Sequence, residues 1–170
     1  MSSDELVAVY DEHGHEVGSA TRGRVRAEGL WHACSSVLVR STDGRRVYVH
    51  RRTDTKDVYP GMYDCWAGGV MGAGENPAEC AERELAEELG VRGVPIRPLH
   101  SVRIELPPVR YHANLFDVRT DGPFTHQPEE VASGGWMSLE ELRAKVADPT
   151  WPMVPDGREL VAGLFSRGLA

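Results

Sequence analysis

One segment constrains this chain more than any other. From Gly69 to Val91 it reads GVMGAGENPAECAERELAEELGV, a glycine-rich stretch running into a glutamate-rich one. Asn76 suits a helix N-cap, Pro77 the first helical position and Glu79 the reciprocal carboxylate of a capping box. Gly90 supplies the residue that ends the helix in a left-handed conformation. At about 3.6 residues per turn, Glu84, Glu87 and Glu88 fall on one face, and Ala78, Ala81, Leu85 and Leu89 form an apolar stripe that packs on a sheet. Like charges at these spacings repel, so the face needs a partner. A solvated acidic surface is one answer. A divalent cation is the other: Mg2+ prefers hard oxygen ligands and suits a few carboxylates beside a phosphate-bearing molecule. The glycines preceding the helix let a main-chain carbonyl approach the same ion.

The rest of the chain supplies the layers. Val7–Tyr10 and Glu16–Ala20 flank a turn at Asp11–Gly14 and read as one hairpin; Cys34–Arg40 and Arg46–Arg51 flank Ser41–Gly44 and read as a second. Arg22–Trp31 is a crossing segment, helical or irregular, and Thr53–Gly61 is polar and turn-rich. Met62–Val70 reads as one strand running into the glycines. Further strands are expected at Leu99–Leu106, Tyr111–Arg119 and Val131–Met137, with helices from Ser138 to Val146 and from Gly157 to Leu169. Strands on both sides of one strong helix predict a mixed α/β or α+β sandwich.

Charge and cysteine usage narrow the function. Nineteen Lys and Arg against 26 Asp and Glu leave a net charge of −7, which argues against a nucleic-acid polymer as partner. Six Glu and one Arg lie between Gly69 and Val91, so the acidity is concentrated at the candidate metal site. No apolar run approaches the roughly 18 residues of a membrane span, and the N-terminus lacks a basic start followed by an apolar stretch. Cys34, Cys65 and Cys80 are three and widely spaced, as expected of reduced thiols in a cytoplasmic protein. One domain over residues 1–170 is expected, with 1–30 as an N-terminal extension packed on it.

Gly69, five residues, Glu75, seven residues and Arg83-Glu84-Leu85-Ala86-Glu87-Glu88-Leu89-Gly90-Val91 together resemble the Nudix box at every defining position. The resemblance implies an α/β/α sandwich with a mixed sheet. It implies hydrolysis of a diphosphate bond in a nucleoside diphosphate derivative or related phosphoanhydride, with Mg2+ or Mn2+ as cofactor. Glu84, Glu87, Glu88 and the main-chain oxygen of Gly68 match its metal ligands, and Glu75, Arg83 and Gly69 its supporting residues. The general base varies across the family; a box glutamate such as Glu84 or Glu87, or a distant carboxylate such as Glu129 or Glu130, matches that role. Homodimers are common among such proteins.

Arg51–Gly61, with Leu30–Ser36, also resembles isopentenyl-diphosphate isomerases. There Arg52 and Lys56 match positions that hold a diphosphate, chemistry suited to a guanidinium fork and an ammonium. The isomerase Cys-Gly-His-Pro turn appears here as Gly68-Gly69-Val70-Met71, so its catalytic cysteine is missing. Tyr111 stands where its catalytic glutamate would lie, and Cys65 is three residues too early to replace the cysteine. Hydrolysis is therefore expected; an isomerase with relocated acid and base groups, or a nucleotide-sensing module without turnover, are the rivals. His32 matches an isomerase metal ligand most of whose expected partners are absent. Trp66, next to the glycine loop, is the tryptophan best placed to stack on a base.

Overall fold

The structure is a computed structural model describing residues 3–170. Strands β1 (Leu6–Tyr10) and β2 (Glu16–Thr21) form a separate antiparallel hairpin. Its turn is closed by Asp11 Oδ1, which accepts from the His13 and His15 amides, both at 2.9 Å. Thr21 caps α1 (Arg22–Glu28), and Gly29 ends it at φ 58°. The hairpin's apolar positions Val7 and Ala20 meet Val25 of α1, and Val7 bridges to Gly72 in the glycine loop.

The main sheet contains β3 (His32–Arg40), β4 (Arg46–Arg52), β5 (Tyr63–Asp64), β6 (Trp66–Val70), β7 (Arg97–Leu106), β8 (Val109–Arg119) and β9 (Val131–Ser138). Among the described strands only β3 and β8 pair with each other in parallel, from His32↔Tyr111 to Arg40↔Arg119. The expected hairpin of β3 and β4 needs correction: the two meet only at Arg40↔Val47. One edge of β3 is taken by β8 along its length and the other by β6 from Cys34 to Leu38, so β4 has no edge to follow. It diverges and pairs with β9 and β5 instead.

The strand expected over Met62–Val70 likewise divides. Tyr63–Asp64 stays on β4, Trp66–Val70 moves to β3, and Cys65 is the crossing. Asp64 Oδ1 satisfies the amides freed there, accepting from Cys65 at 2.8 Å and Trp66 at 3.2 Å. The result is a sheet opened into two leaves, with a cleft between them.

Helices cover both faces. Val37 and Val39 point to α2 (Pro77–Leu89) with Ala81, Leu85 and Leu89. Leu38, between them, points to the opposite core with Leu142 of α3 (Leu139–Ala147) and Leu160, Val161 and Leu164 of α4 (Pro155–Ser166), as strand alternation requires. This is an α/β/α sandwich with a mixed sheet and an N-terminal antiparallel hairpin. The capping box of α2 forms as expected, with Asn76 Oδ1 accepting from Ala78 and Glu79 and Glu79 Oε2 accepting from Asn76 N, each at 3.0 Å. Ala78, expected in the apolar stripe, is exposed, and Cys80 is buried. No helix among the described residues is long and apolar enough to cross a membrane.

Candidate active site

Where the two leaves part, a cavity of about 310 Å3 opens. Helix α2 supplies one wall. Glu84 and Glu88, one turn apart, are 6% and 7% exposed and face inward, whereas the Glu87 side chain at 48% stands at the rim. The three glutamates expected on one face therefore divide into two buried and one open. Burial raises the Glu84 carboxyl above its ordinary value, against the pull of Arg83. Burial, then the charges of Glu84 and Glu130, push Glu88 up well above the usual range.

The glycines fit against these carboxylates. Gly68 N donates to Glu88 Oε2 at 3.2 Å. A Cβ on Gly69 would lie 2.5 Å from Glu84 Oε1, and one on Gly68 would lie 2.1 Å from the Ser35 carbonyl oxygen. Arg83 ties loop to helix: Nε donates to Glu75 Oε1 at 2.8 Å, and a terminal nitrogen donates to Glu75 Oε2 at 3.0 Å and to the Val70 carbonyl at 3.2 Å. Its other terminal nitrogen reaches Glu84 Oε1 at 2.6 Å. Burial raises Glu75, but the Arg83 and Gly72 hydrogen bonds outweigh it and hold the carboxyl below its ordinary value.

The facing wall is cationic. Arg52 ends β4; one terminal nitrogen donates to the Val58 carbonyl at 3.0 Å, while Nε is buried without a hydrogen-bond partner among the described residues. Lys56 Nζ donates to Glu130 Oε2. Glu130 is brought here from a distant loop because Thr53 N donates to its carbonyl oxygen at 3.2 Å, and Thr53 Oγ1 to that of Glu129 at 2.9 Å. Of the two distant glutamates, Glu130 lines the cavity and the exposed Glu129 does not. Arg26 of α1 lines it too, with Asp57 as ion-pair partner. Burial, then the charges of Arg22 and Arg52, lower its pKa, as expected of guanidinium groups crowded together. Sequence reasoning missed Arg26, whose only signal was a basic run in the crossing segment.

Other expected candidates take structural roles. His32 Nδ1 pairs with the Leu30 carbonyl oxygen at 3.1 Å, and its ring lies 5.7 Å from that of Tyr111; burial lowers its pKa. Trp66 lines the cavity but is 4% exposed, with Nε1 donating to the Gly157 carbonyl at 3.1 Å. Cys65 is 1% exposed in the core, where burial raises its thiol. Two acids had no motif to announce them: Asp64, where the chain changes leaves, and Asp156, in the first turn of α4, both lining the cavity.

These features match known proteins. The NUDIX domain family model covers residues 30–157. The chain belongs to the Nudix hydrolase family. It is 50% identical over 169 residues to an uncharacterized Nudix hydrolase of Rhodococcus erythropolis, covering 94% of this chain and 91% of that one. Among solved structures, DR0079 of Deinococcus radiodurans has a TM-score of 0.79 at 26% identity, covering 94% of this chain and 98% of that one. The Nudix domain of Shewanella oneidensis NrtR, solved with ADP ribose, shares the fold with a TM-score of 0.64 at 16% identity, covering 87% and 99%. The family model begins at residue 30, so Arg26 reaches this Nudix cavity from outside the matched segment.

Proposed function

We propose that this Nudix hydrolase cleaves a diphosphate bond in a nucleoside diphosphate derivative or related phosphoanhydride, using Mg2+ or Mn2+, with residues 1–170 acting as one domain. One observation carries the reading: a single cavity sets buried Glu84 and Glu88, with Glu130, opposite Arg26, Arg52 and Lys56. Among the described residues no three acidic, His or Cys side chains already enclose a common point, and Arg83 holds Glu84. The donor set still fits a hard divalent cation. Glu84 and Glu88 are carboxylates that burial and the charges of neighbouring glutamates make costly to ionise, and a nearby cation offsets both effects. The residues that would hold it are Glu84 and Glu88, with Glu87 at the rim and the Gly68 carbonyl. When bound, such an ion neutralises phosphate charge and acidifies water.

The chain's own groups do the rest. Arg52, with its Nε unpaired, and Arg26 orient the diphosphate and stabilise charge developing on its oxygens. Lys56 transfers its hydrogen bonds from Glu130 to phosphate, which leaves Glu130 free to take a proton from the attacking water. Glu75 and Arg83 keep α2 and the glycine loop in register. The ADP ribose held by the NrtR domain supports a nucleoside diphosphate derivative as the substrate class. Isomerisation is disfavoured because Cys65, nearest in sequence to the isomerase position, is shut in the core, and burial raises the thiol of Cys34, the cysteine that lines the cavity, well above its ordinary value.

The test is a screen of nucleoside di- and triphosphates, nucleotide sugars, dinucleotides and isopentenyl diphosphate with Mg2+, products being resolved. Hydrolysis is expected, and Glu84→Gln is expected to lower it about a hundredfold or more and to weaken Mn2+ binding measured by electron paramagnetic resonance. Full hydrolysis and unchanged Mn2+ affinity in Glu84→Gln would overturn the metal assignment.

A further inference from the structure

Carboxylates and cations account for one part of the cavity. Another part is walled by groups that hydrolysis does not use: Asp64, Asp156 and Tyr111 of β8. Asp64 is 8% exposed. Helix α4 closes over it at Gly157, where a Cβ would lie 2.5 Å from Asp64 Oδ1. The Tyr111 hydroxyl donates to Asp156 Oδ2 at 2.7 Å, which fixes that carboxyl. Asp156 Oδ1 is then left buried, with no hydrogen-bond partner among the described residues.

A buried acceptor without a donor is costly to a folded protein and is usually explained by a ligand or water. An apolar prenyl chain would leave Asp156 Oδ1 unpaired, so this wall suits a ligand bearing N–H groups. We propose that Asp64 and Asp156 form the recognition subsite for the group carried by the diphosphate, and that they select an aminated heterocycle. Its exocyclic amine donates to Asp156 Oδ1, and its adjacent ring nitrogen faces the Asp64 carboxyl. The assignment rests on the hydrolase reading of the same cavity.

The state of Asp64 sharpens the selection. Burial, then the charge of Asp156, push its carboxyl up to about 7, although Arg52 and two backbone amides pull the other way. Its ladder partner on β4, His50, is held neutral by burial, at about 3. Burial also raises the Tyr111 hydroxyl, which keeps its proton. Near neutrality Asp64 therefore carries a proton in a large share of molecules and offers an O–H to a ring nitrogen. Cytosine and adenine present that nitrogen beside an amine. Uracil and hypoxanthine present a ring N–H beside a carbonyl, mismatched at both aspartates. Above about pH 7 ionised Asp64 accepts a ring N–H, and half of the mismatch disappears.

Calorimetric titration of the whole protein with cytidine and uridine 5′-monophosphates, and with adenosine and inosine 5′-monophosphates, tests this without turnover. At about pH 6 the aminated member of each pair is expected to bind about tenfold tighter or more, and at about pH 8.5 the ratio is expected to narrow. Asp156→Asn presents an N–H2 where Oδ1 stood and is expected to erase the preference at about pH 6 and to reverse it toward uridine and inosine nucleotides at about pH 8.5, where Asp64 is ionised. Equal affinities at about pH 6, a ratio that does not change with pH, or an unchanged ratio in Asp156→Asn would each overturn the subsite. The wild-type pH series stands even if that variant does not fold. A protein that discriminates as expected but hydrolyses no diphosphate with Mg2+ would overturn the hydrolase reading and leave the subsite. Hydrolysis without discrimination would do the reverse.

Discussion

Replacing Asp64 with asparagine is expected to stabilise the protein, and by an amount that depends on pH. The introduced amide keeps an oxygen to accept from the Cys65 and Trp66 backbone N–H groups and has the volume of the original side chain. It differs from protonated aspartic acid by little and from ionised aspartate by a buried charge. Folded Asp64 holds its proton up to about 7, against 3.8 for the ordinary group. Folding therefore takes up a proton between those two values, and the wild type loses stability as pH rises through that interval. At about 1.4 kcal/mol for each pH unit, the gap from 3.8 to about 7 amounts to about 4 kcal/mol, fully expressed only above about pH 7. The assay is urea unfolding of both proteins from about pH 4.5 to about pH 8.5, with m held in common. The stability difference, variant minus wild type, is expected to be smallest at the acid end, to climb as pH rises and to level off beyond about pH 7. Taking the difference at each pH cancels other titrating groups. A constant difference across the range would refute the argument, because it would place Asp64 at an ordinary pKa despite its burial.

His50 is expected to act with the opposite dependence. Its pKa is held down to about 3 by burial, so wild-type stability is full above 6.5 and is lost as pH falls, relative to His50→Gln; paired urea titrations read this directly. The two glycines beside the carboxylates are expected to separate folding from activity. Gly68→Ala drives a Cβ into the Ser35 backbone and is expected to lower Tm sharply, whereas Gly69→Ala meets only the end of Glu84 and is expected to reduce diphosphate hydrolysis about tenfold or more at a modest cost in Tm. Asp117, 2% exposed, accepts from Arg40 at 2.7 Å and Arg97 at 2.9 Å. Asp117→Ala is expected to cost about 3–5 kcal/mol in calorimetric stability, because Arg40 is left buried and unpaired.

Local chemistry was legible where neighbours in sequence are also neighbours in space. The capping box, Pro77 and Gly90 delimit α2 through contacts within a few residues, so its bounds follow from the letters alone. The Glu84–Glu88 spacing follows from helical periodicity, and the glycines announce a close backbone approach. Which strands share an edge was not legible. Cys34–Arg40 and Arg46–Arg51 carry the composition of a hairpin, but competition for the edges of β3 is decided by β6 and β8, which lie far along the chain.

The site divides in the same way. Sequence by itself determined the carboxylate helix and the glycine loop, which form one compact motif, and pointed to Arg52 and Lys56 only through a resemblance; the structure lines one cavity with all of them. Tertiary structure alone decided that Glu84 and Glu88 turn inward while Glu87 stays at the rim. It also brought Glu130 to Lys56 and drew Arg26 over the cavity from the N-terminal helix. Asp64 and Asp156 had no pattern to mark them; each is an ordinary acid until β5, β8 and α4 close around it. Burial removes water from Asp64, Glu84 and Glu88, and that desolvation, a property of the packed chain as a whole, raises carboxyls that would be ordinary on a surface.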